Sequence, residues 1–365
     1  MAERPPRYRT SDRGLDQRLF ALLDAVGVTT NRDQLFEILV TAVRLATDDT
    51  DRLDLKITNA ALKELRYAFK VFAPYRHIPK VTMFGSARTL PDDPLYAQAR
   101  SMAARMAGQG WMVVTGAGPG IMAAGLEGAG RAMSFGINIR LPFEQGANPF
   151  IAADPKLIEM KYFFTRKLAL MKDSAAFVVL PGGFGTLDEL LELLTLVQTG
   201  KADPAPIVCL EVPGGSYWRG WRDFLEREVV PRGLVSPHDD CLLSVTDDVG
   251  EAVDHIQAFY RNYHSLRYVS DLLVIRLRSP PTQAELDRLS TEFADICGEG
   301  DIDASDALPA EVADNDVIAL PRVVLQFDRT HYGRLRMLID ALNRLPSAPT
   351  EPSPPPEGHT PSAPA

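Results

Sequence analysis

Nine consecutive residues, Pro181-Gly182-Gly183-Phe184-Gly185-Thr186-Leu187-Asp188-Glu189, join a glycine turn to a hydroxyl and two carboxylates. The turn follows an apolar, β-branched run, Ala176–Leu180, and opens a helical pattern over Leu187–Gln198. A strand that runs through glycines into a helix presents free backbone N–H groups and the positive end of a helix dipole, the makings of a phosphate seat. Gly182, Gly183 and Gly185 would let a ligand approach the backbone closely, each at a cost of roughly 0.5–1 kcal/mol relative to alanine in regular structure. Thr186 adds a hydroxyl to that seat, with Asp188 beside it. Glu189 sets a carboxylate one step away, in the expected first helical turn, where the dipole favours its ionised form. The pattern points to chemistry on a phosphorylated substrate. Thr186-Leu-Asp-Glu189 also reads as a capping box, with Thr186 as cap and Glu189 reaching back to the cap's N–H. Both readings can hold, because a capping carboxylate can change partners when substrate arrives.

Arg166-Lys167 lies on the preceding helical stretch, near 162–173. Two adjacent cations at a helix start oppose the dipole. They read either as a solvated face or as a functional pair, with Arg166 turning its fork of donors on the phosphate end or on Glu189. Two further glycine turns end predicted strands: Gly85-Ser86, and Gly116-Ala117-Gly118-Pro119-Gly120. The second invites a dinucleotide reading, but its third glycine is misplaced for GxGxxG. The following strand, Gly136–Arg140, also ends without the acid that would hold a ribose 2′-hydroxyl. Arg140 could reach only a 2′-phosphate. A turn lining a mononucleotide is the favoured reading, and a tight strand-to-helix turn the plain structural one. No Walker A lysine follows these glycines, the 6 histidines show no metal spacing, and no GxSxG elbow occurs. A reaction without metal or cofactor is expected.

The elements that must position these groups are legible. At 365 residues, 45% apolar and 24% charged, the chain has ordinary globular composition. Its net charge of -9 argues against broad nucleic-acid binding. The 3 cysteines form no CxxC pair, no run approaches ~18 apolar residues, and the N-terminus lacks a signal-peptide core, so a cytoplasmic protein off the membrane is expected. Residues 1–75 read as a helical extension. Residues 76–264 alternate strands (Val81–Phe84, Met112–Thr115, Gly136–Arg140, Phe177–Leu180, Ile207–Leu210) with helices near 94–109, 120–133, 162–173 and 187–199. Such alternation predicts an α/β, Rossmann-like, doubly wound parallel sheet, with ligands beyond the carboxyl ends of its strands. Residues 265–345 read as a small appended α/β unit that either forms its own sheet or extends the main one. Residues 346–365 read as a disordered Pro-rich tail.

Arg166-Lys167 followed by Pro181-Gly-Gly-Phe-Gly-Thr-Leu-Asp-Glu189, with Phe84-Gly-Ser-Ala87 and Gly116–Gly120 upstream, resembles the LONELY GUY (LOG) family of nucleoside 5′-monophosphate phosphoribohydrolases. The resemblance covers about residues 78–262 and is stronger toward the longer bacterial members. Such proteins often carry the label lysine decarboxylase, but no pyridoxal-phosphate lysine site is recognisable. The chain departs from the short plant-type members in its extensions and in Phe163-Phe164-Thr165 before Arg166.

The resemblance implies hydrolysis of the N-glycosidic bond of a nucleoside 5′-monophosphate such as AMP, giving free base and ribose 5-phosphate. Arg166 and Glu189 would be catalytic. Gly85, Ser86, Gly116, Gly118, Gly120, Lys167, Gly182, Gly183, Gly185, Thr186 and Asp188 would bind substrate. It also implies a homodimer or higher homo-oligomer with the site near the subunit contact. Two alternatives share these residues: a catalytically silent nucleotide-binding sensor, and transfer of ribosyl phosphate to an acceptor other than water.

Overall fold

The computed structural model describes residues 8–141 and 146–356. Two compact units divide at Lys63 and Glu64. The first carries α1 (Arg13–Ala25), α2 (Arg32–Thr47) and the opening turns of α3 (Arg52–Phe72). Asp12 caps α1 by accepting from the N–H groups of Gly14 and Leu15. Phe20 stacks on Phe36 with ring centroids 4.2 Å apart, beside buried Leu23 and Val40.

The second unit begins within α3 and continues through β1 (Lys80–Phe84), α4 (Pro94–Gly108), β2 (Met112–Thr115), α5 (Ile121–Ala129), β3 (Ser134–Ile139), β4 (Leu157–Met160), α6 (Phe163–Lys172), β5 (Ala176–Val179), α7 (Phe184–Gln198), β6 (Ile207–Leu210), α8 (Tyr217–Phe224), β7 (Ser244–Thr246) and α9 (Val249–Phe259). The seven strands form one parallel sheet in the order β4-β3-β2-β1-β5-β6-β7. Every residue of β1, β2, β5 and β6 is buried, as expected for parallel strands covered on both faces. Alternate residues serve opposite faces. Val81, Met83, Val178 and Leu180 pack with α4 and α9, whereas Phe84, Phe177, Val179 and Cys209 pack with α6, α7 and Trp218 of α8.

The expected doubly wound, Rossmann-like parallel sheet is therefore present, with two short edge strands, β4 and β7, beyond those predicted. The chain leaves β1 toward β2, β3 and β4, then returns to lay β5 on the other side of β1. The strand order thus reverses between β1 and β5, and in such sheets the crevice outside the carboxyl ends at the reversal accepts ligands.

The C-terminal segment builds a separate antiparallel sheet and does not extend the main one. It comprises β8 (Tyr263–Val269), β9 (Leu272–Leu277), α10 (Gln283–Glu292), β10 (Asp303–Ser305), α11 (Pro309–Asp314), β11 (Arg322–Leu325) and α12 (Tyr332–Asn343), with strand order β10-β11-β9-β8. Leu273, Ile275, Leu335 and Ile339 join the same apolar core as α4 and α9. Beyond α12, the Ser347 N–H donates to Glu285 at 3.1 Å and the Arg278 guanidinium reaches the Pro354 carbonyl, so the proline-rich segment is held at both points. Residues 357–365 of the expected tail lie outside the described residues.

One buried charge cluster holds this second sheet. Glu311, fully buried, accepts from Arg276 Nη2 at 2.8 Å and from Arg322 Nη1 at 2.7 Å, and both arginines are themselves buried. Removing one partner of such a cluster leaves uncompensated buried charge. Glu311→Ala is expected to destabilise the protein by about 3–5 kcal/mol, read as a lower midpoint in urea denaturation.

Candidate active site

The carboxyl ends of β1 and β5, at the reversal of strand order, lead into Gly85-Ser86 and Pro181–Gly185. The Ser86 N–H donates to the Pro181 carbonyl at 3.3 Å, tying one turn to the other. The Ser86 carbonyl in turn accepts the Ile121 N–H, the first of α5, at 3.0 Å. Gly120, which precedes it, has φ +65°, and a Cβ there would lie 2.3 Å from the Ser86 carbonyl oxygen, so only glycine fits. Between these turns lies a cavity of ≈ 720 Å³.

The cavity brings together most of the residues singled out in the sequence: Gly85, Ser86, Gly116, Arg166, Lys167, Gly182, Gly183, Gly185, Thr186, Asp188 and Glu189 line it. Gly118 and Gly120 do not. The Gly118 carbonyl is held by Asn148 Nδ2 at 2.9 Å, and Gly120 shapes the start of α5, so both support the wall from behind. Arg140 pairs with Glu159 at 2.6 Å on the exposed surface, away from the cavity.

The glycines divide by what a side chain would meet. A Cβ at Gly85 would strike Ile121, one at Gly116 would strike Arg166 Nη2 at 2.1 Å, and one at Gly182 would strike Thr186 Oγ1 at 2.2 Å. Gly183 and Gly185 differ: a Cβ at either would meet nothing within 4 Å, and neither has a left-handed φ. The protein's own packing therefore gives no reason for glycine at these two cavity-lining positions, whereas close approach of a ligand would.

The capping box expected at Thr186–Glu189 does not form. α7 starts three residues earlier than the periodicity placed it, with Gly183 at the cap position and no side-chain cap. Thr186 is already the third helical residue, and Glu189 lies in the second turn, out of reach of the first N–H groups. The glycines supply a helix start that apolar periodicity alone does not register, and they leave the first N–H groups of α7 without a side-chain cap.

Arg166 and Glu189 face one another. Arg166, on α6, sends Nε to the Ile137 carbonyl at 2.9 Å and Nη2 to the Gly116 carbonyl at 3.4 Å, while Nη1 lies 3.9 Å from Glu189 Oε1. The two side chains are 10% and 15% exposed, so the pair is nearly withdrawn from water and still lines the cavity. Burial dominates the Glu189 carboxyl and pushes its pKa up to about 7, against the lowering pull of Arg166 and Lys167. The helix start thus does not keep Glu189 readily ionised as its place in the chain suggests, because desolvation in the second turn outweighs the dipole.

Lys167 is not a free cation. Its ammonium lies 2.7 Å from both Asp188 and Glu192, strapping α6 to α7. Burial lowers its pKa, but hydrogen bonds and charge from Asp188 and Glu192 outweigh that, and the net shift is upward.

Two supports carry no motif. Glu64, in α3, accepts the Lys161 N–H at 2.9 Å and the Thr165 hydroxyl at 2.6 Å. It thereby places a carboxylate at the start of α6, offsetting the unfavourable cations there. Tyr217, the first residue of α8, donates its hydroxyl to the Gly182 carbonyl at 2.7 Å. Neither has a sequence signal, since each partner lies tens of residues away. Among the described residues, no group of three or more His, Cys, Asp or Glu is arranged to hold a metal ion, and no helix is long and apolar enough to cross a membrane.

With this geometry in place, the class is that of an α/β protein with a crevice at the reversal of strand order. Residues 118–256 match the family described as "Possible lysine decarboxylase". Over 72 residues the chain is 43% identical to cytokinin riboside 5′-monophosphate phosphoribohydrolase LOG1 of Arabidopsis thaliana, covering 20% of this chain and 32% of that protein. Over 99 residues it is 34% identical to the probable phosphoribohydrolase LOGL3 of Oryza sativa subsp. japonica, covering 27% of this chain and 44% of the relative. The matches thus span a third to under half of these relatives' length. Among solved structures, the molybdenum cofactor carrier protein of Chlamydomonas reinhardtii aligns at 20% identity with a TM-score of 0.33, covering 48% of this chain and 94% of that one. Through residues 118–256 and these shorter stretches, the chain is similar to LOG-type phosphoribohydrolases.

The raised carboxyl has a thermodynamic consequence. The folded state holds the Glu189 proton up to about pH 7, whereas an unperturbed glutamate releases it near 4.5. This contribution to stability is full below 4.5 and is lost as pH rises to about 7. Glu189→Gln removes the loss. Its thermal midpoint relative to the parent should therefore be higher at pH 8 than at pH 5, by an amount worth up to ~3 kcal/mol. A difference independent of pH would contradict the burial argument.

Proposed function

We propose that the cavity takes a nucleoside 5′-monophosphate and hydrolyses its N-glycosidic bond, releasing free base and ribose 5-phosphate. The observation that carries this is the Arg166–Glu189 pair, nearly buried, facing the same cavity as an uncapped helix start flanked by two glycines with open space. The first N–H groups of α7 and the Thr186 hydroxyl would hold the phosphate, and the sugar would lie against Glu189. Water bonds to C1′ as the C1′–N bond breaks. The bond's electron pair leaves with the base, which takes up a proton to balance the one the water loses, and the sugar passes through an oxocarbenium-like state. Ionised Glu189 stabilises that charge or takes the proton from the attacking water, and a pKa of about 7 suits a group that must accept a proton and give it up again near neutrality. Arg166, anchored on two backbone carbonyls, orients the carboxylate and adds positive charge toward the phosphate.

The family relatives named as phosphoribohydrolases favour this reading over the decarboxylase label. A Schiff-base lysine needs a lowered pKa, whereas Lys167, the one lysine lining the cavity among the described residues, is paired with two carboxylates. We also propose a homo-oligomer, in which a partner would cover exposed apolar residues: Phe184, 94% exposed, and Phe163 line the cavity, and Phe164 and Leu168 on α6 are exposed as well.

Purified protein incubated with AMP and a panel of other monophosphates should release base and ribose 5-phosphate, read by chromatography. Glu189→Gln and Arg166→Ala should each lower kcat/KM by about 10²–10⁴-fold without loss of fold. Binding without turnover would instead mark a sensor, and a new ribosyl conjugate a transferase. Because the ionised carboxylate acts, kcat/KM on the acid side should rise about tenfold per pH unit and level off near pH 7. A flat profile between pH 5 and 7 would rule out Glu189 in that role.

A further inference from the structure

The phosphate seat depends on which way one peptide group points. The peptide joining Gly182 to Gly183 is planar and trans, so its carbonyl and its N–H point in opposite directions. Flanked by two glycines, it has little of its own to stop it turning over. Tyr217 provides the missing restraint: its hydroxyl donates to the Gly182 carbonyl at 2.7 Å, and Tyr217 is not part of the cavity wall. With the carbonyl held on the Tyr217 side, the Gly183 N–H is directed away from it.

Tyr217 is itself fixed. The buried carboxylate of Glu211, just past β6, accepts the N–H of Tyr217 on one oxygen and that of Trp218 on the other, each at 3.1 Å. These are the first N–H groups of α8, so Glu211 both satisfies them and matches the helix dipole. A Cβ at Gly215 would lie 2.2 Å from Glu211, so glycine there makes room for the carboxylate. Trp218 is fully buried beneath, edge-on to Tyr217 with ring centroids 4.8 Å apart. The chain of contacts runs from β6 through Glu211 to Tyr217 and ends on the glycine turn after β5.

We propose that Tyr217 is a positioning residue that locks the Gly182–Gly183 peptide with its N–H toward a bound phosphoryl group, and that Glu211 holds Tyr217 for that purpose. This rests on the phosphate being seated at the start of α7. The ligand class it serves is the phosphoryl end of the substrate, not the base or the sugar.

The test compares the full-length protein with Tyr217→Phe, which keeps the ring and removes only the hydroxyl. Ribose 5-phosphate and inorganic phosphate are titrated by calorimetry, and turnover of AMP is measured alongside adenosine. The expected result is a roughly tenfold rise in Kd for ribose 5-phosphate and in KM for AMP. The loss should be carried by KM, and weak turnover of adenosine should be unchanged. Glu211→Gln, which keeps one acceptor oxygen, should shift the same constants in the same direction by less. Unchanged Kd and KM in Tyr217→Phe would overturn the proposal, as would a fall in kcat alone. Should the parent bind ribose 5-phosphate but release no base from any monophosphate, the hydrolase reading fails while the calorimetric comparison still decides the role of Tyr217. Should the parent bind neither phosphate ligand, both fail together.

Discussion

Withdrawing one carboxylate from water beside one guanidinium is the constraint around which the rest of this site is arranged. Glu189 and Arg166 sit on neighbouring helices on the same face of the sheet, and neither could be buried alone without a large desolvation cost. Their distance of 3.9 Å is too long for a tight ion pair. Arg166 spends its better hydrogen bonds on the carbonyls of Ile137 and Gly116, so the carboxylate is only partly compensated. That partial compensation is what leaves its pKa near 7, poised to exchange a proton where a fully paired glutamate would not be. A site of this kind is held against its own electrostatic preference by the surrounding packing, and the strap from Lys167 to Asp188 and Glu192 keeps α6 and α7 together around it.

The fold supplies the place. A parallel sheet whose strand order reverses between β1 and β5 opens a crevice at their carboxyl ends, and the glycine turns after both strands fall there. The turns are not independent. Ser86 joins the β5 turn through Pro181 and the start of α5 through its carbonyl, so the walls of the crevice are braced through backbone groups. Packing alone explains Gly120, where a Cβ would strike the Ser86 carbonyl, and Gly85, Gly116 and Gly182, where it would strike the side chains of Ile121, Arg166 and Thr186. It does not explain Gly183 and Gly185, and on those two glycines the proposed phosphate seat rests.

Much of this was legible in the sequence because its signals are local. Buried parallel strands read as short apolar runs, so β1, β2, β5 and β6 were placed within a residue or two. The short edge strands β4 and β7 were missed, because Leu157–Met160 alternates and Ser244–Thr246 is only half-buried. The residues around the cavity were found through glycine spacing and the Arg-Lys pair. Glu189's place in the chain points the wrong way. Thr-x-x-Glu spacing and a helix start both spoke for a capping, readily ionised carboxylate, and only the earlier start of α7 and the burial of Glu189 reverse that. Glu64 and Tyr217 were invisible for a different reason: each acts on a partner brought near by the fold, and an isolated Glu or Tyr in a helix has no pattern to betray it.

The two halves of the site therefore make opposite demands on the same helix. In the proposed reaction the start of α7 works through backbone N–H groups that must stay exposed, ordered and free of a side-chain cap. The second turn works through a carboxylate that must stay shielded. A helix advances ~1.5 Å per residue, so these environments lie only a few residues apart along its axis. The packing meets both demands by covering α7 unevenly: Phe184 and Gly185 stand exposed while Thr186 and Leu190 are buried. A capping box at Thr186–Glu189 would have drawn the carboxylate back toward the helix start and removed that separation. Its absence leaves the helix start uncapped and, one turn further on, a carboxyl poised by burial to exchange a proton near pH 7.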